Sequence, residues 1–208
     1  MKFSAFFRLV LLCVCCLLPR VSTAQEQTIL VFGDSLSAAY GIPREAGWVS
    51  LLQQELQRSH PQYQVANASL SGETTSGGRK RIAAALHQHN PTIVILELGA
   101  NDGLRGTPLT SIESNLGDII GQSRKAGAKI LLLGMQLPPN YGTQYTARFK
   151  ALYPKLAQQY HAALVPFFLG GITPEQFQPD NLHPTAAAQA KILQTVLVKL
   201  KPLLLSSP

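Results

Sequence analysis

The chain has 208 residues, 46% of them hydrophobic, and its 18 lysines and arginines against 11 aspartates and glutamates give a formal charge of +7. Three of these basic residues lie in the first 24 positions, and without them the formal charge is only +4, which does not indicate a nucleic-acid-binding protein. The one basic cluster, Arg79-Lys80-Arg81, has no interleaved aromatic residues for base stacking, so we expect a solvated face and no nucleic-acid partner.

The first 24 residues are organised as an export signal. Lys2 and Arg8 precede an uncharged apolar run that ends at Leu18, and a site suited to signal peptidase ends at Ala24. The run is too short for a bilayer-spanning helix, and the three cysteines, all within it, lack the context for lipidation. We therefore predict a cleaved signal peptide over residues 1–24 and a single domain over 25–208. We expect this domain to be periplasmic or secreted, without disulfides or a stable membrane anchor.

From Thr28 onward, apolar runs alternate with segments of helical periodicity, which is typical of βαβ units around a parallel sheet. The predicted strands are apolar on both faces, as buried parallel strands are. They cover residues 28–32, 63–66, 92–98, 129–134 and 163–167. A last helix is predicted to begin at Pro184. The pattern predicts an α/β fold, a single-domain, doubly wound three-layer α/β/α sandwich with a five-stranded parallel sheet in the order 2-1-3-4-5.

Polar stretches follow the first three predicted strands, and a fourth precedes the last helix. Ser35 follows the first strand, Gly72 lies in the stretch after the second, and Asn101 lies in the stretch after the third. Ligands of doubly wound sheets bind outside the carboxyl ends of the strands, at the switch point. In the predicted strand order, Gly72 and Asn101 therefore flank Ser35.

These residue types fit acyl transfer. A serine hydroxyl becomes a nucleophile when a histidine, itself oriented by a third group, accepts its proton. Asp180 and His183 are three residues apart and can pair, which leaves the other imidazole nitrogen for Ser35. The oxyanion can be bound by the N–H of Gly72, the amide of Asn101 and the N–H of Ser35 at a predicted helix start.

Four ordered blocks carry a family resemblance. Gly33-Asp34-Ser35-Leu36-Ser37, residues 67–72, residues 99–106 and Asp180-x-x-His183-Pro184 resemble the blocks of the SGNH (GDSL) hydrolases. The resemblance spans nearly all of residues 25–208 and is to the bacterial periplasmic arylesterase, thioesterase I, protease I and lysophospholipase L1 group. Ala100 and Asn181 stand where this family commonly has glycine.

The resemblance implies a role for each site residue. Ser35 is expected as the nucleophile, His183 as its base and Asp180 as the partner of the histidine, with Ser35, Gly72 and Asn101 as the oxyanion hole. Leu137 and Pro138 are expected to form one wall of the acyl site. Residues 75–80 are expected to form a mobile lip. Asp34 and Asp102 are assigned structural roles, because turns and caps account for both.

The expected activity is hydrolysis of carboxylic esters and thioesters through an acyl-enzyme, with aryl esters, acyl thioesters and lysophospholipids as substrates. This chemistry requires no metal or organic cofactor and no partner beyond the small-molecule substrate, and we expect a monomer. One alternative is a non-catalytic periplasmic acyl- or lipid-binding protein on the same fold. A nucleotide-binding module is a weaker alternative, since residues 72–77 begin like a phosphate loop but lack its lysine and its serine or threonine.

Overall fold

The computed structural model describes residues 27–205, so the predicted signal peptide lies outside the described residues. The described chain contains a five-stranded, fully parallel sheet in the order β2-β1-β3-β4-β5. Its strands are β1 (Gln27–Gly33), β2 (Tyr63–Asn67), β3 (Ile93–Glu97), β4 (Lys129–Leu133) and β5 (Ala163–Val165). The predicted fold class and strand order are confirmed.

Six α-helices of the described chain cover both faces of this sheet. They are α1 (Trp48–Ser59), α2 (Thr75–His89), α3 (Ala100–Leu104), α4 (Leu109–Lys125), α5 (Thr143–Tyr160) and α6 (Gln189–Leu205). Helix α1 packs against α6, whereas α4 packs between α2 and α5. The apolar faces of the long helices close over the strands, and the central strand β3 is buried along its whole length.

The position of β1 decides where the functional loops meet. It lies between β2 and β3, and the register pairs Val31 with Asn67 on one side and Gly33 with Glu97 on the other. Because all three strands are parallel, the loops that follow them leave the sheet at the same edge. The loop after β1 therefore sits between the loops after β2 and β3.

The predicted start of the last helix at Pro184 is wrong, because α6 begins at Gln189. Pro184 instead forms an antiparallel bridge with Phe177, and the N–H of Thr185 donates to the carbonyl of Gln176 at 2.7 Å. These bonds close a loop and hold the segment away from helical geometry. A short 3-10 turn, Ala186–Ala188, connects the loop to the helix.

Residues 75–80, expected as a mobile lip, form the first turns of α2, and Thr75 is fixed by Asp102 through its N–H at 2.8 Å and its hydroxyl at 2.7 Å. The expected solvated face is confirmed for Arg79 and Lys80, which are exposed, and is wrong for Arg81, which is half-buried. Its guanidinium donates to Glu73 at 2.5 Å and lies 3.9 Å from the centre of the Phe32 ring.

Among residues 27–205, no helix is long and apolar enough to cross a membrane.

Candidate active site

Ser35, His183 and Asp180 form a continuous hydrogen-bonded chain, although 148 positions separate the serine from the histidine. The Nε2 atom of His183 lies 2.8 Å from the hydroxyl of Ser35, and Nδ1 lies 2.7 Å from Oδ2 of Asp180. An ionised carboxylate only accepts hydrogen bonds, so Nδ1 carries the proton and Nε2 offers a lone pair to the serine. This is the tautomer in which a histidine can act as a base toward serine.

The serine lies in a turn over residues 34–41, here named the serine turn. The carboxylate of Asp34 accepts the N–H of Leu36 at 3.0 Å, and the carbonyl of Asp34 accepts the N–H of Ala38. The predicted helix start at Ser35 does not form: turns and bends cover residues 34–42, and a short 3-10 helix, Arg44–Ala46, precedes α1. Asn67, at the end of β2, donates its side-chain amide to the carbonyl of Ser37 at 2.9 Å.

Asp180 and His183 lie in residues 176–185, here named the histidine loop. Oδ1 of Asp180 accepts the N–H groups of Leu182 and His183 at 2.9 and 3.0 Å, which fixes the carboxylate against the imidazole. Asn181 has a φ of +58°, a left-handed conformation that asparagine tolerates better than most residues. This conformation explains why asparagine can stand at a position where the family commonly has glycine.

Gln178 joins the two segments. Its Nε2 donates to the carbonyl of Tyr40 in the serine turn at 2.9 Å and to the carbonyl of Pro184 at 3.1 Å. Its backbone N–H donates to the carbonyl of His183 at 2.7 Å. The ring of Tyr40 also packs on the imidazole of His183, with centroids 4.5 Å apart. The sequence alone gave no signal for Gln178, because its contacts cross between distant segments.

Two backbone donors face the cavity beside the serine hydroxyl. Ser35 and Gly72 both line the cavity, and no acceptor among residues 27–205 receives the backbone N–H of either residue. Gly72 has a φ of +78°, which glycine adopts without strain. These two N–H groups are available to a ligand oxygen.

The third predicted oxyanion donor is placed differently. Asn101 lines the same cavity, but its Nδ2 donates to Oδ2 of Asp34 at 3.1 Å and to the carbonyl of Glu73 at 3.0 Å. Both amide hydrogens therefore have protein acceptors in the ligand-free site. Arg81 stabilises the loop that carries Gly72 and Glu73. Its guanidinium donates to the carboxylate of Glu73 and to the carbonyl of Ala68.

The two aspartates of the site have opposite pKa shifts. Partial desolvation acts to raise the pKa of Asp180, but the backbone and imidazole hydrogen bonds of His183 and the N–H of Leu182 outweigh it and lower the pKa to about 2. Burial raises the pKa of Asp34 to about 6, against the lowering effect of its hydrogen bonds and of His183. At pH 7 both carboxylates are ionised, and both lie near the imidazole.

A cavity of about 400 Å³ opens beside the serine hydroxyl. Its polar lining includes the hydrogen-bonded pair Ser35 and His183 together with Gly72 and Asn101. Most of its remaining lining is apolar and comes from Leu36, Leu104, Met135, Leu137, Pro138, Phe167, Leu169 and Phe177. The structure thus places the predicted wall residues Leu137 and Pro138 in the same cavity as Ser35. An elongated apolar group fits such a lining.

No three His, Cys, Asp or Glu side chains are grouped to hold a metal ion within residues 27–205. Asp102 lies beneath the site, where it is buried and binds Thr75, in keeping with its predicted structural role. Glu97, which is fully buried under the serine turn, is a second residue, besides Gln178, that was not predicted from the sequence. A charged residue that ends an otherwise apolar strand is the signal that could have identified it.

Comparison with known proteins identifies the same fold and site region. The esterase TesA of Pseudomonas aeruginosa is 48% identical over 183 residues, which cover 87% of this chain and 91% of the relative. The thioesterase 1/protease 1/lysophospholipase L1 of Escherichia coli (strain K12) is 39% identical over 205 residues, or 98% of this chain and 97% of the relative.

Solved structures agree with this result. The crystal structure of the psychrotrophic esterase EstA from Pseudoalteromonas sp., inhibited by monoethylphosphonate, superposes with a TM-score of 0.82 at 40% identity, covering 86% of this chain and all of the other. The GDSL-like Lipase/Acylhydrolase family matches residues 31–191, which include every residue of the hydrogen-bonded chain from Ser35 to Asp180. With four ordered blocks, the parallel sheet and these matches in agreement, the chain belongs to the GDSL-like lipase/acylhydrolase family.

Proposed function

We propose that this protein hydrolyses carboxylic esters and thioesters through an acyl-enzyme, with Ser35 as nucleophile, His183 as general base and acid, and Asp180 as the group that orients the histidine. The observation that carries the proposal is the 2.8 Å contact between Nε2 of His183 and the hydroxyl of Ser35, with Asp180 bonded to the other ring nitrogen. A protein that only binds acyl groups has no need for a serine activated in this way.

In the first half of the reaction, Ser35 Oγ attacks the acyl carbonyl while its proton passes to Nε2 of His183. The carbonyl oxygen becomes an oxyanion, and the free N–H groups of Ser35 and Gly72 donate to it. Asn101 adds a third donor when that oxygen displaces one of its two acceptors, Asp34 or Glu73. One such donor is typically worth about 2.7 to 4 kcal/mol in the transition state.

The same histidine completes the cycle. The tetrahedral intermediate collapses, the bond to the alcohol or thiol breaks, and His183 gives its proton to that leaving group. Water then attacks the acyl-serine with His183 again as base, which releases the acid and returns the proton to Ser35. The anionic Asp180 stabilises the imidazolium in both halves and keeps Nδ1 protonated.

The cavity supports a substrate with an apolar acyl group. Its carbonyl would lie beside Ser35, and the acyl chain would extend along Leu137 and Pro138, which line the same cavity. The relatives are named as an esterase and as a thioesterase and lysophospholipase, which supports aryl esters, acyl thioesters and lysophospholipids as the substrate range. Amides have poorer leaving groups than thioesters, so we expect little peptidase activity.

We also propose that residues 1–24 are removed on export and that residues 25–208 act as a periplasmic or secreted monomer. Intact mass of the protein recovered outside the cytoplasm tests the cleavage, and light scattering tests the oligomeric state. A retained Met1, or a stable dimer, would contradict the respective expectation.

The decisive experiment compares wild type with Ser35→Ala on p-nitrophenyl esters of increasing chain length. We expect kcat to fall about 10⁴-fold or more in Ser35→Ala, since removal of a triad serine has effects of this order or larger. Ser123→Ala is the matched control, because it removes a buried hydroxyl on α4 that does not line the cavity. A phosphonate probe should add to wild type and not to Ser35→Ala. Slow turnover that is equal in both proteins would support the non-catalytic binding alternative.

A further inference from the structure

A second carboxyl group lies beneath the nucleophile. Glu97 ends β3, is completely buried, and pairs in register with Gly33 of β1. Its Oε2 accepts the hydroxyl of Ser37 at 2.8 Å and the N–H of Asp34 at 3.2 Å. A Cβ atom on Gly33 would lie only 2.6 Å from Oε2, so glycine is needed for this approach. Glu97 thus binds the chain on both sides of Ser35.

The two oxygens of Glu97 are in different situations. Oε2 accepts two donors, whereas Oε1 is buried and receives no donor from residues 27–205. The carboxyl group of Asp34, itself 1% exposed, lies within hydrogen-bonding reach of that of Glu97. Two buried carboxylates in contact repel each other, and a proton shared between them removes this repulsion. The proton also gives the pair a hydrogen bond in place of the one that Oε1 of Glu97 otherwise lacks.

The donors around the pair decide which residue holds that proton. On Asp34, Oδ1 accepts the N–H of Leu36 and Oδ2 accepts the amide of Asn101, so a proton on either oxygen would compete with an existing donor. On Glu97, a proton on Oε1 competes with no donor, because that buried oxygen receives none from residues 27–205. The arrangement therefore fits a neutral Glu97 and an anionic Asp34.

We propose that Glu97 is a positioning residue that keeps its proton at neutral pH, donating through Oε1 to Asp34 and accepting from Ser37 and Asp34 through Oε2. In this way it fixes the serine turn on both sides of Ser35 and leaves one negative charge, on Asp34, beside Asn101 and His183. This role rests on the proposed function, because it matters for activity only if Ser35 is the nucleophile.

The electrostatics of the surrounding groups support this assignment. Burial, followed by the charge of Asp34, raises the pKa of Glu97 well above its ordinary value. The hydroxyl of Tyr153 donates to the carbonyl of Leu98 next to the pair, and burial and then Glu97, Asp34 and Asp102 raise the pKa of this tyrosine. His183 is the group near the pair that acquires positive charge, and it acts to lower the pKa of Asp34. The anion on Asp34 is thereby placed to stabilise the imidazolium that forms during the reaction.

The protonation state can be read without activity. In protein labelled with ¹³C at the glutamate side-chain carboxyl, we expect one of the seven glutamates to show a protonated carboxyl shift at pH 7. That signal should be absent from Glu97→Gln and present in the control Glu113→Gln, which removes a carboxylate paired with Lys155 on the surface. Ionised shifts for all glutamates at pH 7 would overturn the proposal, whatever the outcome for Ser35→Ala.

The positioning role is tested by two substitutions at the same site. Glutamine copies the protonated acid, with its carbonyl as acceptor and its amide as donor, whereas Glu97→Leu removes both functions. We expect kcat for a short ester to fall about 100-fold in Glu97→Leu with KM changed less than threefold, and at least tenfold of this loss to return in Glu97→Gln. Equal losses in both variants would overturn the role. If Glu97→Leu does not fold, Glu97→Gln is compared directly with wild type. A 100-fold loss of kcat in Glu97→Gln would then overturn the positioning role.

Discussion

The serine turn and the histidine loop hold the two halves of one site in opposite environments. In the serine turn, Asp34 is 1% exposed and has a raised pKa, and its backbone N–H donates to Glu97 in the sheet. In the histidine loop, the side chain of Asp180 is 37% exposed, and hydrogen bonds lower its pKa. Ser35 is therefore held by a buried segment, whereas His183 is held by local hydrogen bonds near the surface.

The largest expected effect comes from Asp180→Asn. The amide cannot accept the Nδ1 proton as a carboxylate does, so the histidine loses its working tautomer and the charge that stabilises the imidazolium. We expect kcat to fall about 10⁴-fold, as in the corresponding change in serine proteases. The variant also loses the stability associated with the lowered pKa of Asp180, but solvent screens this partly exposed group, so the fall in melting temperature should be small.

Asp118→Asn is the matched control for Asp180→Asn. Asp118 has similar exposure and pairs with Arg79 on the surface, where one ion pair contributes little. Ester hydrolysis and thermal unfolding are measured on both variants. An Asp180→Asn variant with nearly normal kcat would show that the histidine does not depend on this carboxylate.

The next largest effect is expected for Gln178, which joins the serine turn to the histidine loop. Gln178→Ala removes the side-chain bonds to Tyr40 and Pro184 without removing a cavity-lining group. We expect kcat to fall about 10- to 100-fold, because misplacement of a catalytic group by about 1 Å can have effects of this order. KM for a short ester should stay within threefold.

Gln176→Ala is the control for Gln178→Ala, since Gln176 lies in the same loop but its side chain bonds only to the N–H of Thr173. Steady-state kinetics on one ester suffice for the comparison. Equal losses in the two variants would mean that the loop as a whole, rather than the contact with the serine turn, sets the alignment.

A third prediction concerns stability as a function of pH, where the two aspartates should act in opposite directions. Burial raises the pKa of Asp34, so the folded protein is most stable when this carboxyl is protonated. That stability is fully present below pH 4 and is lost as the pH rises through about 6. The lowered pKa of Asp180 gives stability that is present above pH 4 and is lost as the pH falls toward 2. The free energy of unfolding, measured with urea at constant ionic strength, should therefore fall between pH 4 and 6 and also between pH 4 and 2.

Variants separate these contributions. Asp34→Asn should reduce the decline in the free energy of unfolding between pH 4 and 6, and Asp180→Asn should reduce the loss between pH 4 and 2. Glu97, whose pKa is also raised, continues to lower stability above pH 4 in both variants. If Asp34→Asn leaves the slope between pH 4 and 6 unchanged, the buried environment of Asp34 is not as described.

The smallest effect is expected for Leu137→Ala, in the apolar lining of the cavity. Each buried CH₂ contributes about 0.8 kcal/mol to the binding of an acyl chain. The other apolar residues of the cavity can still contact the chain after Leu137 is shortened, so only part of this contribution should be lost. We expect kcat/KM for a long-chain ester relative to a short one to change about 3- to 10-fold. Unchanged chain-length preference would place the acyl group along another part of the cavity.

The strands and the candidate site could be predicted because each depends on short segments. Apolar runs of about five residues indicate buried parallel strands, and the blocks at Ser35, Gly72, Asn101 and His183 follow the pattern of the family. The strand order then explains why residues from four distant segments meet. The predicted strands differ from the observed ones only at their ends, most at β5, which stops before Pro166 since proline has no N–H for the ladder.

The parts that could not be predicted depend on pairings between distant residues. Glu97 acts on the serine turn only because β3 pairs with β1 in a register that sets it opposite Gly33. Gln178 reaches Tyr40, 138 positions earlier, and Pro184 is drawn into a bridge instead of starting a helix. Local periodicity carries no information on such pairings.

The wide separation of Ser35 and His183 along the chain also has a consequence for biosynthesis. A ribosome makes Ser35 early and His183 near the end, so a growing or truncated chain holds the serine without the histidine that contacts it. If the two residues act as proposed, the chain becomes able to hydrolyse esters only after the segment that follows β5 has been synthesised and has packed beside the serine turn.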